Sequence, residues 1–171
     1  MPADDPIRLD FICRKNAGRS QMAAAFAERE RDERGLDDAV EIHSAGTEPA
    51  DRVHRPVVDA MAEVGIDLSG ETPTYPVLDH LRESHFLISM GCTVNEFNPA
   101  QYGVESREWE LTNPEGREMD VVRSVRDEIE ARVHALFDEI EQVADERPAE
   151  TSLSERVTAA VRDALPFGKR P

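Results

Sequence analysis

The chain has 171 residues, enough for one domain that buries its own core. Its 36 acidic against 20 basic residues give a formal charge of -16, which repels nucleic acid and anionic membrane and, unless screened, an anionic substrate as well. No apolar run approaches the ~20 residues of a membrane span, and the start Met1-Pro2-Ala3-Asp4-Asp5 lacks the basic character of a signal peptide, so a soluble, cytoplasmic protein is expected.

Two cysteines are too few for a disulfide framework. Arginine dominates the basic residues, Lys15 and Lys169 being the lysines. At molar salt the Debye length falls to ~3 Å, which makes so acidic a surface tolerable. A halophile fits this balance, and so does an acidic mesophilic protein.

Strand and helix signals alternate along the chain, the pattern of a parallel sheet with helices on both faces. Ile7–Ile12 is a short apolar run and the expected first, central strand. Ser20 suits an N-cap, and Met22, Ala23, Phe26 and Ala27 give an apolar stripe on a helix that Gly35 ends. Val40–Ala45 reads as the second strand. Val57, Val58, Met61 and Val64 mark a helix near Pro56–Val64, stopped by Gly65.

After a Pro-containing stretch, a short helix is expected around Val77–Arg82, then a third strand over His85–Met90 and a brief fourth over Arg107–Leu111. Val122, Val125, Ile129, Val133, Leu136, Ile140 and Val143 recur in steps of three and four, which predicts a long helix over Met119–Val143. Residues 1–145 therefore read as the domain. Residues 146–171 read as an appended tail, in which Leu153, Val157, Ala160, Val161 and Ala164 form a short amphipathic stripe that docks on the domain or on a partner.

Between the first strand and the first helix lies Cys13-Arg14-Lys15-Asn16-Ala17-Gly18-Arg19-Ser20. A tetrahedral oxyanion needs many donors converging without bulk, and a tight loop running into a helix N-terminus supplies its backbone N–H groups for that purpose. Gly18 permits unusual dihedrals. Asn16 is the non-glycine residue best suited to a left-handed conformation. Arg19 can fork onto two oxygens of the anion, and Ser20 can donate to the Cys13 thiolate. That thiolate would attack the central atom of the bound anion. There is no Gly-Lys-Ser/Thr, so this is not a nucleotide-binding loop. The histidines lack metal-ligand spacing, and neither a metal nor a cofactor is expected.

The stretch Asn16-Ala17-Gly18-Arg19-Ser20-Gln21-Met22-Ala23 resembles the signature of the thioredoxin-coupled type of arsenate reductases, which share the low-molecular-weight protein tyrosine phosphatase fold. The likeness continues through Ser44-Ala45-Gly46-Thr47, Val64-Gly65-Ile66-Asp67-Leu68-Ser69, Ser89-Met90-Gly91-Cys92, Trp109-Glu110-Leu111 and Val125-Arg126-Asp127-Glu128-Ile129. It implies an α/β three-layer sandwich with a four-stranded parallel sheet and the anion loop after strand one. By position it makes Cys13 the nucleophile, Arg19 the anion clamp and Cys92 the second redox cysteine. Arg14, Lys15, Asn16, Ala17, Gly18 and Arg19 would form the anion cradle.

Two departures stand out. Thioredoxin-coupled members carry a third cysteine shortly after the second, and Thr93–Pro99 has none. The family's general acid is an Asp before a Pro, and here the dipeptide is Asn113-Pro114. An amide cannot give up a proton as a carboxylic acid does, a contribution of about 10²–10⁴-fold. Glu115 and Asp120 are the nearby carboxyls that could substitute. Asn113 also suits a plain turn before proline, and Cys92 a plain core position at a strand end.

Three functions follow. In arsenate reduction Cys13 attacks arsenic, and Cys92 or an external thiol resolves the adduct. The resulting disulfide is passed to a thioredoxin- or glutaredoxin-like reductant. In phosphatase chemistry a Cys13 phosphocysteine forms from phosphotyrosine or an aryl phosphate, a route that Asn113 weakens. In a non-catalytic binding module the loop is kept and turnover is lost.

Overall fold

The computed structural model describes residues 6–92, 94, 97–145, 157, 158, 160 and 161. Four strands, β1 (Ile7–Cys13), β2 (Val40–Gly46), β3 (Phe86–Met90) and β4 (Glu105–Glu108), form one sheet in the order β2-β1-β3-β4. All three pairings are parallel. The central position of β1 follows from its composition: Ile7, Leu9, Phe11 and Ile12 are each 0% exposed, as a strand covered on both faces requires.

Side chains alternate across that strand, so its two faces feed two cores. Ile7, Leu9, Phe11 and Cys13 enter the larger one, with Met22, Phe26, Val57, Met61, Val125, Ile129 and Phe137. Ile12 enters the smaller one, with Ala45, Leu81, Leu87 and Val104. The helices α1 (Arg19–Glu33), α2 (Arg55–Ala62) and α4 (Met119–Asp145) cover the first face, and α3 (Leu78–Arg82) the second. This is the α/β sandwich expected from the sequence. No described helix is long and apolar enough to cross a membrane.

Several local expectations need correction. Ser20 is not an N-cap: α1 starts at Arg19, and Gly18 occupies the cap position with no side-chain cap bond. The first two turns of α1 are buried nearly all round, polar Ser20 and Gln21 included, because they run beneath the anion loop instead of along the surface. β4 spans Glu105–Glu108 rather than Arg107–Leu111; only the Trp109 amide extends its pairing, bonding the Ser89 carbonyl at 2.9 Å. Beyond it Trp109 packs on Phe11, and the chain leaves the sheet to reach the loop. A single 3₁₀ turn, Pro99–Tyr102, precedes β4 and had no clear signal in the sequence.

In the tail, residues 157, 158, 160 and 161 are helical, and Val157 (1% exposed) and Val161 (3%) sit in the larger core. Leu153 and Ala164 lie outside the described residues. Val161→Ala should lower the unfolding free energy by about 1–3 kcal/mol, the range for deleting two buried methyl groups. Urea unfolding in molar KCl measures it, and a change within error would mean that the tail does not pack there.

Candidate active site

A loop that binds an anion through its amides must first place its own carbonyl oxygens elsewhere. Here the chain after β2 takes them. Thr47 N bonds Cys13 O at 3.2 Å, Glu48 N bonds Arg14 O at 2.7 Å, Ala50 N bonds Lys15 O at 3.0 Å and His54 N bonds Ala17 O at 2.9 Å. The carbonyls are thus turned outward along residues 47–54, leaving the loop amides and the N-terminus of α1 around one cavity.

That approach is so close that Gly46 has no room for a side chain. A Cβ there would lie 2.7 Å from Arg14 O and from Asn16 N. Asn16 has φ 50°, the left-handed conformation anticipated for it.

Asn16 is fully buried, and its amide fixes the polarity of the site. The backbone N–H of Thr74 donates to Asn16 Oδ1 at 3.0 Å, which settles which amide atom faces it; Gln21 Nε2 donates to the same oxygen at 3.1 Å. Asn16 Nδ2 must then donate to Ser20 Oγ, at 2.7 Å. With that lone pair occupied, the Ser20 hydroxyl is free to donate to Cys13 Sγ at 2.9 Å, and the Asn16 backbone N–H adds a second donor at 3.2 Å. Two donors aimed at one sulfur stabilise its thiolate.

Arg19 is 9% exposed, its Nη1 donates to Leu111 O at 3.4 Å, and among the described residues it joins no ion pair. Its guanidinium lies directly over Gly91, where an added Cβ would come within 2.7 Å of Nη1. Gly91 also has φ 76°. Arg14 and Lys15 differ from Arg19. Their side chains are already paired, Arg14 with Glu48 (3.0 Å) and Lys15 with Glu115 (2.6 Å).

Cys13, Arg14, Lys15, Gly18 and Arg19, together with His54, Asn113 and Glu115, line a cavity of about 130 Å³. That volume is well under the roughly 300–1,000 Å³ of a drug-sized ligand site. Pro114 closes over Gly18, whose Cβ position lies 3.3 Å from Pro114 Cγ. Asn113 accepts the Glu115 backbone N–H at 3.1 Å, the turn role that its sequence context allowed. Glu115 does not replace the missing acid, since the hydrogen bond and charge of Lys15 hold its carboxyl below the usual range. Asp120, in the first turn of α4, is not part of the cavity wall.

Cys92 lies just past β3, beside the strand that ends at Cys13, and is half-buried against the smaller core. Burial pushes its thiol up, the charge of Cys13 adds to that and the charge of Arg19 opposes it. Cys92 therefore shares the electrostatic environment of Cys13 and Arg19. The sequence missed Gly46, Gly91, Thr74 and His54. Only Gly46 and Gly91 carried a signal, as glycines directly after predicted strands. Among the described residues no group of three His, Cys, Asp or Glu is placed to hold a metal.

The profile of the low molecular weight phosphotyrosine protein phosphatase family matches residues 8–148, and the chain belongs to that family. A protein of Halobacterium salinarum named "Putative arsenate reductase" is 49% identical over 139 residues, covering 81% of this chain and 96% of its own. The glutaredoxin arsenate reductase of a Synechocystis strain is 34% identical, covering 78% of this chain and 98% of its own. Among solved structures, the thioredoxin-dependent arsenate reductase of Corynebacterium glutamicum superposes with a TM-score of 0.67 at 32% identity. That match covers 82% of this chain, which spans 64% of the length of that structure.

Gly91→Ala tests the placement of Arg19. The methyl group displaces the guanidinium, so phosphate affinity measured by calorimetry should fall at least about tenfold while the circular dichroism spectrum is kept. Unchanged affinity would show that Arg19 does not clamp the anion.

Proposed function

We propose that this chain reduces arsenate to arsenite, with Cys13 as nucleophile, Arg19 and the loop amides as oxyanion clamp, and Cys92 as resolving cysteine. The single observation that carries the reading is a second cysteine two residues past Met90, the β3 residue that pairs with Cys13 in register. Hydrolysis of a phosphate ester requires one cysteine; reduction requires two thiols. The relatives named as arsenate reductases support it.

Arsenate binds in the cavity, Cys13 Sγ attacks arsenic, and an arsenic-bound oxygen leaves as water. The Cys92 thiolate then attacks Cys13 Sγ. A sulfur–sulfur bond forms, the arsenic–sulfur electron pair stays on arsenic, and arsenite departs. One hydrogen arsenate, two thiols and two protons become arsenous acid, one disulfide and one water. An external thiol protein of the thioredoxin or glutaredoxin type regenerates the thiols, entering at the half-buried Cys92 because Cys13 is 2% exposed. With no third cysteine in the chain, that attack falls on the Cys13–Cys92 bond itself.

Intact-mass measurement after arsenate treatment should show a loss of about 2 Da in the wild type and none in Cys13→Ser or Cys92→Ser. Absence of both this loss and a mixed disulfide with added thiol would remove the reductase reading. The raised Cys92 thiol also sets a pH dependence. The thiol form dominates at neutral pH, so disulfide closure should accelerate with rising pH, by close to tenfold per unit below its titration. A flat rate between pH 7 and 8.5 would exclude Cys92 deprotonation as the controlling step.

The phosphatase reading is supported by Cys13 and Arg19 lining one cavity with Ser20 bonded to the Cys13 sulfur, and is opposed by Asn113 in the same lining. Asn113→Asp should therefore raise aryl phosphate hydrolysis by about 10²-fold or more, measured by chromophore release. No gain would show that the site does not seat an ester for hydrolysis.

A further inference from the structure

Departure of an oxygen from the bound anion needs a proton, and the residues around it divide sharply in their ability to supply one. Of the described cavity-lining residues, Arg14, Lys15 and Arg19 are strong bases that stay charged, and Gly18 has no side chain. Cys13 is committed to the attack. Asn113 is an amide already engaged in a turn, and Glu115 is held ionised by Lys15. The remaining lining residue is His54. Imidazole is the side chain that both gives and takes a proton between pH 5 and 8.

Its position is built, not incidental. The His54 backbone N–H donates to Ala17 O at 2.9 Å, tying it to the anion loop. Its own carbonyl accepts the Val57 and Val58 amides at 3.0 and 3.1 Å, so it also starts α2. Loop and helix thus hold its backbone from two directions, and the residue is half-buried in the lining of the cavity that Cys13 and Arg19 also line.

We propose that His54 is the proton donor of this site, giving its proton to the oxygen that leaves arsenic when Cys13 attacks. The proton moves from the imidazolium to the hydroxyl oxygen of hydrogen arsenate, the arsenic–oxygen bond breaks with its electron pair on oxygen, and water departs. Neutral imidazole is then recharged from solvent, and no electrons pass through it. The charged groups that share the cavity lining with His54 are Glu115, on the loop after β4, Arg14 and Lys15 of the loop, and Arg19 of α1. The inference rests on arsenate reduction as the activity of the site and adds the group that replaces the family's aspartic acid.

The test follows arsenate-driven consumption of the Cys13 thiol in a single turnover, by alkylation quench and mass, for wild type, His54→Gln and His54→Ala across pH 5.5–8.5. His54→Gln should be slower by about 10²-fold and should lose the decline in adduct formation as pH rises through the imidazole range. Added imidazole should restore rate to His54→Ala, and phosphate affinity should change less than about threefold in both variants. A His54→Gln rate and pH profile matching the wild type would overturn the proposal. So would a loss confined to phosphate binding, which would make His54 a positioning residue only. If the wild type forms no disulfide with arsenate, the reductase reading itself fails, which is a distinct result from an unchanged His54 variant.

Discussion

The site depends on one constraint: the carbonyl oxygens of the Cys13–Ser20 loop must bond outward before its amides can face an anion. The backbone of residues 47–54 meets it with four hydrogen bonds, to Cys13, Arg14, Lys15 and Ala17. Such bonds need the two chain segments nearly in contact, and the absence of a side chain at Gly46 allows this. The left-handed Asn16 then lets the loop turn inward, and its buried amide holds Ser20 with its hydroxyl hydrogen toward sulfur. Each element answers a requirement set by the one before. Removing the outward bonds would leave buried carbonyls unsatisfied at about 1–3 kcal/mol each, so the cradle is stable only as a set.

The electrostatics show how an anion site survives in a chain of charge -16. Glu48 and Glu115 neutralise Arg14 and Lys15, so the acidic surface reaches the rim of the cavity. Inside, the cation that joins no ion pair among the described residues is Arg19, 9% exposed and held over Gly91. A buried charge is screened far less by salt than an exposed one. The design therefore concentrates attraction where molar salt weakens it least and places the compensated charges where salt weakens them most.

The amount legible in the sequence follows from the range of each interaction. The Cys13–Ser20 loop, the central strand and α4 are local patterns, and periodicity or spacing within a few residues carries them. The left-handed Asn16 was also local, since its conformation depends on its own side chain and the turn around it. The position of Ser20 was misjudged because an N-cap and a first-turn residue look alike in sequence; only the sulfur 2.9 Å away distinguishes them. β4 slipped because its pattern includes Trp109, which packs on Phe11 after the strand has ended. Gly46, Gly91, Thr74 and His54 act across 30 to 72 positions of chain, and even the two glycines, legible as residues after strands, give no sign in sequence of the contact they make.

The sheet order explains why two cysteines so far apart in sequence can share chemistry. β1 and β3 are parallel neighbours, with Cys13 paired to Met90 in register, so both strands deliver their C-terminal ends to the same edge. Side-chain alternation sends Cys13 toward the larger core and α1, where donors converge on its sulfur. Cys92, two residues past that register, lies against the smaller core, where burial keeps its thiol protonated. The two sulfurs therefore meet different surroundings on the two faces of one sheet, hydrogen-bond donors at Cys13 and apolar burial at Cys92. A nucleophile must be ready before the anion arrives, while a resolving thiol that ionised early would compete for the same positive field. The fold separates these demands in space, and the proposed proton delivery falls to a third element, the start of α2, where the His54 backbone is anchored to the loop.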